Sequence, residues 1–459
     1  MRECPFQLSV ARDHPRRTET LRCTALLREI PQTRAVYSAR WNDREVIVKV
    51  FAGGRSASRH LTSEWRGLTG LRKRGFCAPE PLFYGTTVAG ARVLVMERIG
   101  GSESVRRLFQ ATSEPAGRFE LLDPVCRELA RYHIRGVLQQ DLHLGNFLLR
   151  AEGVLAIDAA QIRFRSRPIG RSKSLSQLAK VVSFLPDPCL ASARSLYQAY
   201  FETRGWPLQK SDEARLRRDV RRHKSRAINR MLRKYQRSNS RHRPLVLDGY
   251  RGLFDRQFFS QAAAAELVPQ LDALMETGDI LKRGNTCFVS RVRWHDTDLV
   301  IKRYNHKGLI HSLRHTIKRS RARRGWTNSH RLCLLEIGTP EPLAYIERCK
   351  GPLVWCSYLL HRYVPGRKLS ELPGDPAIEQ SRRKQHVAQV LEVLERLGNY
   401  RITHGDMKHS NILISNGEPI LTDLDGLTAH RWHWTYAAAH RKDVRRFRNV
   451  PSPDAPATP

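Results

Sequence analysis

Two stretches of the chain place an Asp, and an Asn five residues later, between apolar runs. One is ITHGDMKHSN, with Asp406 and Asn411; the other is VLQQDLHLGN, with Asp141 and Asn146. Twelve residues beyond each Asn stands a second Asp at the end of another apolar run: Asp423 in PILTDLDG and Asp158 in VLAIDAAQI. Upstream of each loop a Lys sits in a β-branched run, Lys302 in LVIKR and Lys49 in VIVKV. Phosphoryl transfer needs these groups. A strand Lys neutralises nucleotide phosphates, and the loop Asp orients or deprotonates the attacking hydroxyl. The Asn and the second Asp hold Mg²⁺, which takes up charge developing on the phosphate oxygens. One D-x-x-x-x-N loop alone is as consistent with a charged surface turn. Four parts in one order, occurring twice, point to chemistry.

The elements that must position these residues also repeat. Asp141 and Asp406 are offset by 265 residues, and so are Asp158 and Asp423. Trp41 and Trp294 are offset by 253, as are Lys49 and Lys302, and EWRGLTGLRKRGFCAPEPL matches GWTNSHRLCLLEIGTPEPL at 261. The offsets rise in steps, as longer connections in the second copy would produce. VIVKV, LVIKR, ARVLVMERI and VWCSYLLHRYV read as strands. SEWRGLTGLRKRG and TNSHRLCLLEIG read as helices ending at Gly. PVCRELARYHIRG and HVAQVLEVLERLGNY read as helices leading into the Asp loops. The expectation is an α+β fold of two tandem protein-kinase-like domains, each with a strand-rich N-lobe and a helical C-lobe. The first spans residues 20–245 with basic C-terminal helices, and 246–277 form a helical linker. The second spans 278–450, and 451–459 are a disordered tail.

The copies differ in their accessory parts. Glu64, read as lying at the start of the helix after Lys49, is the natural ion-pair partner of that Lys; the aligned residue in the second copy is Gly325. His404 precedes Asp406, where the first copy has Gln139. Neither copy has G-x-G-x-x-G, although GNTCFVSRV could form a tight hairpin through Gly284. Blander readings stand beside these. Trp41 and Trp294 suit packing, a Glu opening a helix is favoured by the helix dipole, and Asp425 could simply cap a turn.

Of the 459 residues, 80 are Lys or Arg and 44 Asp or Glu, a net charge of +36 that calls for a polyanionic partner. Residues 215–243 hold thirteen Lys/Arg and one acid, Asp219, with Leu216, Val220, Ile228 and Leu232 at helical spacing. This segment reads either as a solvated helix of the first domain or as a dock for anionic lipid. KGLIHSLRHTIKRSRARR (307–324) is a second basic segment. Neither interleaves aromatics, so no specific nucleic acid is expected. The nine cysteines form no C-x-x-C, the N-terminal residues lack a signal-peptide apolar core, and no apolar run reaches 18 residues. These features suggest a cytoplasmic protein that meets a membrane only peripherally.

With these residues placed, the second half resembles the lipopolysaccharide kinase family, whose members phosphorylate heptose or Kdo sugars of the inner core. The resemblance runs through ILKRGNTCFVSRVRW, GTPEPLAYIE, ITHGDMKHSNILI and LTDLDG, over about residues 278–448. EWRGL, APEPL, DLHLGN and LYQAYFETRGW carry a looser likeness in the first half. The resemblance implies a protein-kinase-like fold using ATP and Mg²⁺. It makes Asp406 and, by the repeat, Asp141 the catalytic bases. Lys302, Lys49, Glu64 and Lys408 would serve the nucleotide; Asn411, Asp423, Asn146, Asp158 and, in the D-x-D of LTDLDG, Asp425 would serve the metal. It implies a lipopolysaccharide core or another anionic glycolipid as acceptor, on the anionic cytoplasmic face of the inner membrane. Two alternatives are a kinase of protein Ser/Thr/Tyr or another small molecule, and a non-catalytic scaffold binding anionic partners.

Overall fold

A computed structural model describes residues 4–305, 319–351, 353–374 and 379–449. The chain divides into two compact units, Met1–His223 and Lys224–Pro459, with the division inside the helix Lys210–Tyr235. Each unit combines an antiparallel sheet with a helical part, so the fold class is α+β.

In the first unit six antiparallel strands close into a barrel in the order Phe6–Arg12, Thr18–Ile30, Arg34–Trp41, Arg44–Phe51, Arg92–Glu97, Pro81–Thr87. Strand periodicity explains what the barrel does for Lys49. Val46 and Val48 enter a core with Val93 and Val95, and Lys49 therefore leaves on the opposite face. The unit starts earlier than residue 20, because closure requires Phe6–Arg12 to pair with Pro81–Thr87 and so removes both sheet edges. The helix after Lys49 runs Arg55–Lys73. Glu64 is thus in its middle, not at its start, and a favourable helix dipole does not account for it. Ala57 and Leu61 extend the buried stripe upstream of the expected start. Helices Pro115–Ile134, Arg171–Val182 and Arg194–Arg204 pack around Leu122, Leu129, Leu178 and Tyr200.

In the second unit a seven-stranded antiparallel sheet has the order His242–Leu247, Tyr250–Asp255, Pro342–Lys350, Leu353–Arg362, Thr297–Tyr304, Cys287–Trp294, Asp279–Gly284. Residues 246–277 are therefore not a purely helical linker. Val246 and Leu247 end one strand, Tyr250–Asp255 is the next, and only Gln261–Thr277 is helical. The hairpin turns through Asp248-Gly249, with Gly249 at φ 72°, a hairpin signal present in VLDGYRG. Helix Gln261–Thr277 covers one face of the sheet through Leu267, Val268 and Leu271. Helix Arg321–Leu334 contributes Ala322 and Trp326 to a separate cluster with Tyr304, Tyr345 and Leu359. Helices Gln380–Asn399 and His433–Arg448 share a further core with Met407 and Ile412 of the loop at Asp406.

The basic helix Lys210–Tyr235 is amphipathic rather than wholly solvated. Leu216 and Val220 join the first unit's core, and Ile228 and Leu232 join the second's. Of the second basic segment, residues 306–318 lie outside the described residues, as does the tail 451–459. All nine cysteines are free. Trp41 and Trp294 are packing residues: Trp41 packs at a tilt against Phe83 and donates to Glu19, and Trp294 is buried. The GNTC hairpin is tight, with Gly284 paired to Cys287, but Gly284 uses no left-handed conformation.

Candidate active site

In the second unit the loop at Asp406 is held from three sides. The Asn411 side-chain NH₂ donates to the Asp406 carbonyl (2.9 Å) and carboxylate (3.0 Å), which leaves the amide oxygen of Asn411 as its free ligand. Lys408 Nζ lies 2.9 Å from Asp406 Oδ2, and Arg446 lies 3.8 Å from Oδ1. Burial works to raise the Asp406 pKa, but Lys408, Asn411 and Arg446 outweigh it and hold it below the usual carboxylate range. Buried His404 sits beneath. Its Nε2 meets the Thr422 carbonyl at 2.9 Å, which fixes the Nε2–H tautomer and leaves Nδ1 to face the Asp406 N–H at 3.4 Å. Burial lowers the His404 pKa, so the ring is neutral. Asp443, 1% exposed on helix His433–Arg448, accepts the backbone N–H of His404 (2.7 Å) and of Gly405 (3.0 Å). Thr422 donates from both its N–H and its hydroxyl to the Asn411 carbonyl, tying the loop to the strand end that carries Asp423.

Asp423 adopts φ 59°, ψ 51°, a left-handed conformation that costs a non-glycine residue energy and is found where the surroundings enforce it. Lys302 Nζ pairs with Asp423 Oδ1 and stands 3.7 Å from Asp425. Arg321, at the start of helix Arg321–Leu334, pairs with Asp425 at 2.7 Å. Both cations lie over the Tyr304 ring. Burial would lower the Lys302 pKa, yet Tyr304 and the two carboxylates raise it. Burial also pushes Asp425 up. Asp423 is held low despite its burial by the hydrogen bond from Asp425 and by Lys302. An acid at Gly325 would require the Leu359 side chain to move, since a Cβ there would lie 2.5 Å from its terminal methyl. Asp425 is more than a turn cap, since it links Lys302 to Arg321.

The first unit is wired differently. Lys49 pairs with Glu64, which is fully buried, and burial raises the Glu64 pKa against the pull of Lys49. Asp158 faces Arg34 at 3.8 Å, and it does not share the left-handed conformation of Asp423. Asn146 reaches the Asp141 carbonyl at 2.9 Å and its carboxylate at 3.4 Å; His143 is 3.5 Å from that carboxylate. Gln139 fills the place of His404 and donates to the Asp158 carbonyl at 3.1 Å.

The family model for "Lipopolysaccharide kinase (Kdo/WaaP) family" matches residues 56–200 and 274–449, well over half of the chain. The chain belongs to this family. Family members are kinases that phosphorylate lipopolysaccharide core sugars. The second match includes Lys302, whereas the first begins after Lys49. No curated protein matches the chain. A solved structure described as "WaaP in complex with acyl carrier protein" is similar at 18% identity over 45% of this chain and 81% of that one; its TM-score of 0.26 carries no structural argument.

The kinase family implies use of ATP and, typically, a divalent metal. Among the described residues no cluster of three or more His, Cys, Asp or Glu could hold a metal ion. Mg²⁺ does not require one, since it takes one or two protein oxygens and completes its shell with water and phosphate. The amide oxygen of Asn411 and the carboxylate of Asp423 fit that need. Four residues escaped the sequence reading. Arg34 opens the strand Arg34–Trp41, and Arg321 opens a helix from within the basic segment 307–324. Asp443 and Arg446 left one usable signal: Asp443 is the only acid between Asp425 and Asp454.

Proposed function

We propose that this kinase-family chain carries two tandem kinase-like domains and transfers the γ-phosphate of ATP to a heptose or Kdo hydroxyl of the lipopolysaccharide inner core. The observation that carries this reading is the loop of the second unit, where Asp406, Lys408 and Asn411 converge beside a left-handed Asp423. That unit is the principal site of turnover. Asp406 orients the acceptor hydroxyl and takes its proton, and Lys408 meets the transferring phosphate. Lys302 holds the nucleotide phosphates, while Asn411 and Asp423 hold Mg²⁺ with Asp425 behind them. Mg²⁺, when bound, offsets charge developing on the phosphate oxygens. Lys49, Glu64, Asp141, Asn146 and Asp158 form the parallel set in the first unit, which serves mainly to hold nucleotide or acceptor.

The acceptor is met at the cytoplasmic face of the inner membrane. No helix among the described residues is long and apolar enough to cross a membrane. Exposed Trp432 and Trp434, beside Arg431, supply the amphipathic side chains favoured at lipid headgroups. The test is transfer of labelled phosphate from ATP to rough-strain lipopolysaccharide, alongside mass analysis of the core from a deletion strain. Loss of one phosphate from that core is the expected result. An unchanged core and no Asp406-dependent transfer would remove the proposal.

A further inference from the structure

The cations of the second unit fall into two groups. Lys302 and Arg321 attend Asp423 and Asp425. Lys408, Arg445 and Arg446 surround Asp406 and, with Asn449, line an open depression of about 500 Å³. That volume suits the end of an oligosaccharide. Its wall has one carboxylate and three cations, so it carries an excess of two positive charges.

Helix periodicity puts the last three of these residues there. Asp443 and Phe447 form the buried side of helix His433–Arg448, and Arg445, Arg446 and Asn449 are exposed. Arg446 is anchored, because it donates to the Gly405 carbonyl of the loop while staying 3.8 Å from Asp406. No carboxylate among the described residues pairs with Arg445. With Lys408 committed to the transferring phosphate, two guanidinium groups remain beside the base. Their planar forks match carboxylate or phosphate oxygens.

We infer that Arg445 and Arg446 form an acceptor subsite for an anionic oxygen group, so that the hydroxyl phosphorylated at Asp406 is chosen by a neighbouring carboxylate or phosphate on the same glycan. This rests on the proposed function for the reaction, but binding tests it separately. The probes are rough-strain lipopolysaccharide in detergent, the same material with its carboxyls reduced to alcohols, and the same material dephosphorylated with hydrofluoric acid. Binding is measured without nucleotide to the wild-type chain, to R445A and to R445A/R446A. Among the described residues the Arg445 side chain makes no hydrogen bond or ion pair, so its change alone disturbs none of them.

The native acceptor should bind R445A/R446A at least about tenfold more weakly than wild type, with R445A between them. Steady-state assays should show the acceptor KM rising while the ATP KM holds. Wild type should lose the same factor with the carboxyl-reduced probe if a carboxylate is read, or with the dephosphorylated probe if a phosphate is. Equal binding of the native acceptor to all three proteins overturns the subsite, as does equal wild-type binding of all three probes. Discriminating binding without phosphate transfer would instead overturn the kinase reaction and leave the subsite standing.

Discussion

The two units hold a strand lysine in opposite ways. In the first, Lys49 is paired with an acid on the following helix, Glu64, inside the protein. In the second, the matching helix position is Gly325, which offers no side chain, and the helix offers a base, Arg321, one turn earlier. Lys302 turns instead to Asp423 and Asp425, and Arg321 balances the second acid. The lysine of the first unit is thus held by a carboxylate of the following helix. That of the second is committed to the carboxylate proposed to bind metal, so phosphate and metal can exchange with it. The loop supports differ in kind: neutral His404 and buried Asp443 brace Asp406, whereas Gln139, Gln177 and Lys180 hold the loop at Asp141.

The largest effect expected from this contrast is on transfer itself. Asp406→Ala should lower labelled-phosphate transfer by about a thousandfold or more, as loss of a base and its electrostatic setting does. Asp141→Ala should cost less than about tenfold; equal losses would mean that both units turn over. Next in size is stability. Lys49→Met strands the buried Glu64 charge and should destabilise the first unit by about 3–5 kcal/mol. Hydrogen exchange in helix Arg55–Lys73 would report it, and Lys49→Met with Glu64→Leu should recover most of the loss. Lys302→Met should loosen helix Arg321–Leu334 far less, because Asp423 is 30% exposed and Arg321 remains.

Acid should separate the units next. Burial lowers the pKa of His133 in the first unit to about 4, and those of His242 and His330 in the second to about 4 and about 2. Each binds its proton more readily unfolded than folded. The stability each gives is therefore full above pH 6.5 and falls as the pH drops toward the folded pKa, by about 2 kcal/mol per histidine between pH 7 and pH 5. Exchange protection should fail first in the second unit on acidification; simultaneous failure would contradict this. The smallest effect is on the brace. Asp443→Asn should reduce kcat by roughly tenfold with little change in ATP KM, because it disturbs the loop without touching phosphate. An unchanged kcat would mean that the loop holds its shape without the Asp443 carboxylate.

Much of this was legible before any coordinates. The alternation in VIVKV and LVIKR made strands, and the two D-x-x-x-x-N loops, each followed by an Asp at the same spacing, marked both candidate sites. A repeat carries its own check, since chance does not preserve order across four parts. The errors have physical causes. Phe6–Arg12 is a short strand whose value lies in closing a barrel, a long-range contact that no local pattern reports. The local pattern points to a helix start near Glu64, because the buried stripe through Ala57 and Leu61 is interrupted by polar residues. The Asp248-Gly249 hairpin signal stands within a stretch that otherwise reads as a helical linker.

The sequence by itself determined the residue types, their order and the duplication, because spacing along a strand or tight loop is set by local backbone geometry. It also carried the family resemblance. The tertiary structure alone decided partnership. Lys302 and Asp423 are 121 residues apart, Arg321 and Asp425 104, and Asp443 meets His404 from a separate helix. Ion pairs and buried hydrogen bonds depend on distances of a few ångströms between elements. Those distances come from how the helices pack on the sheet, and the order of residues along the chain does not encode them locally.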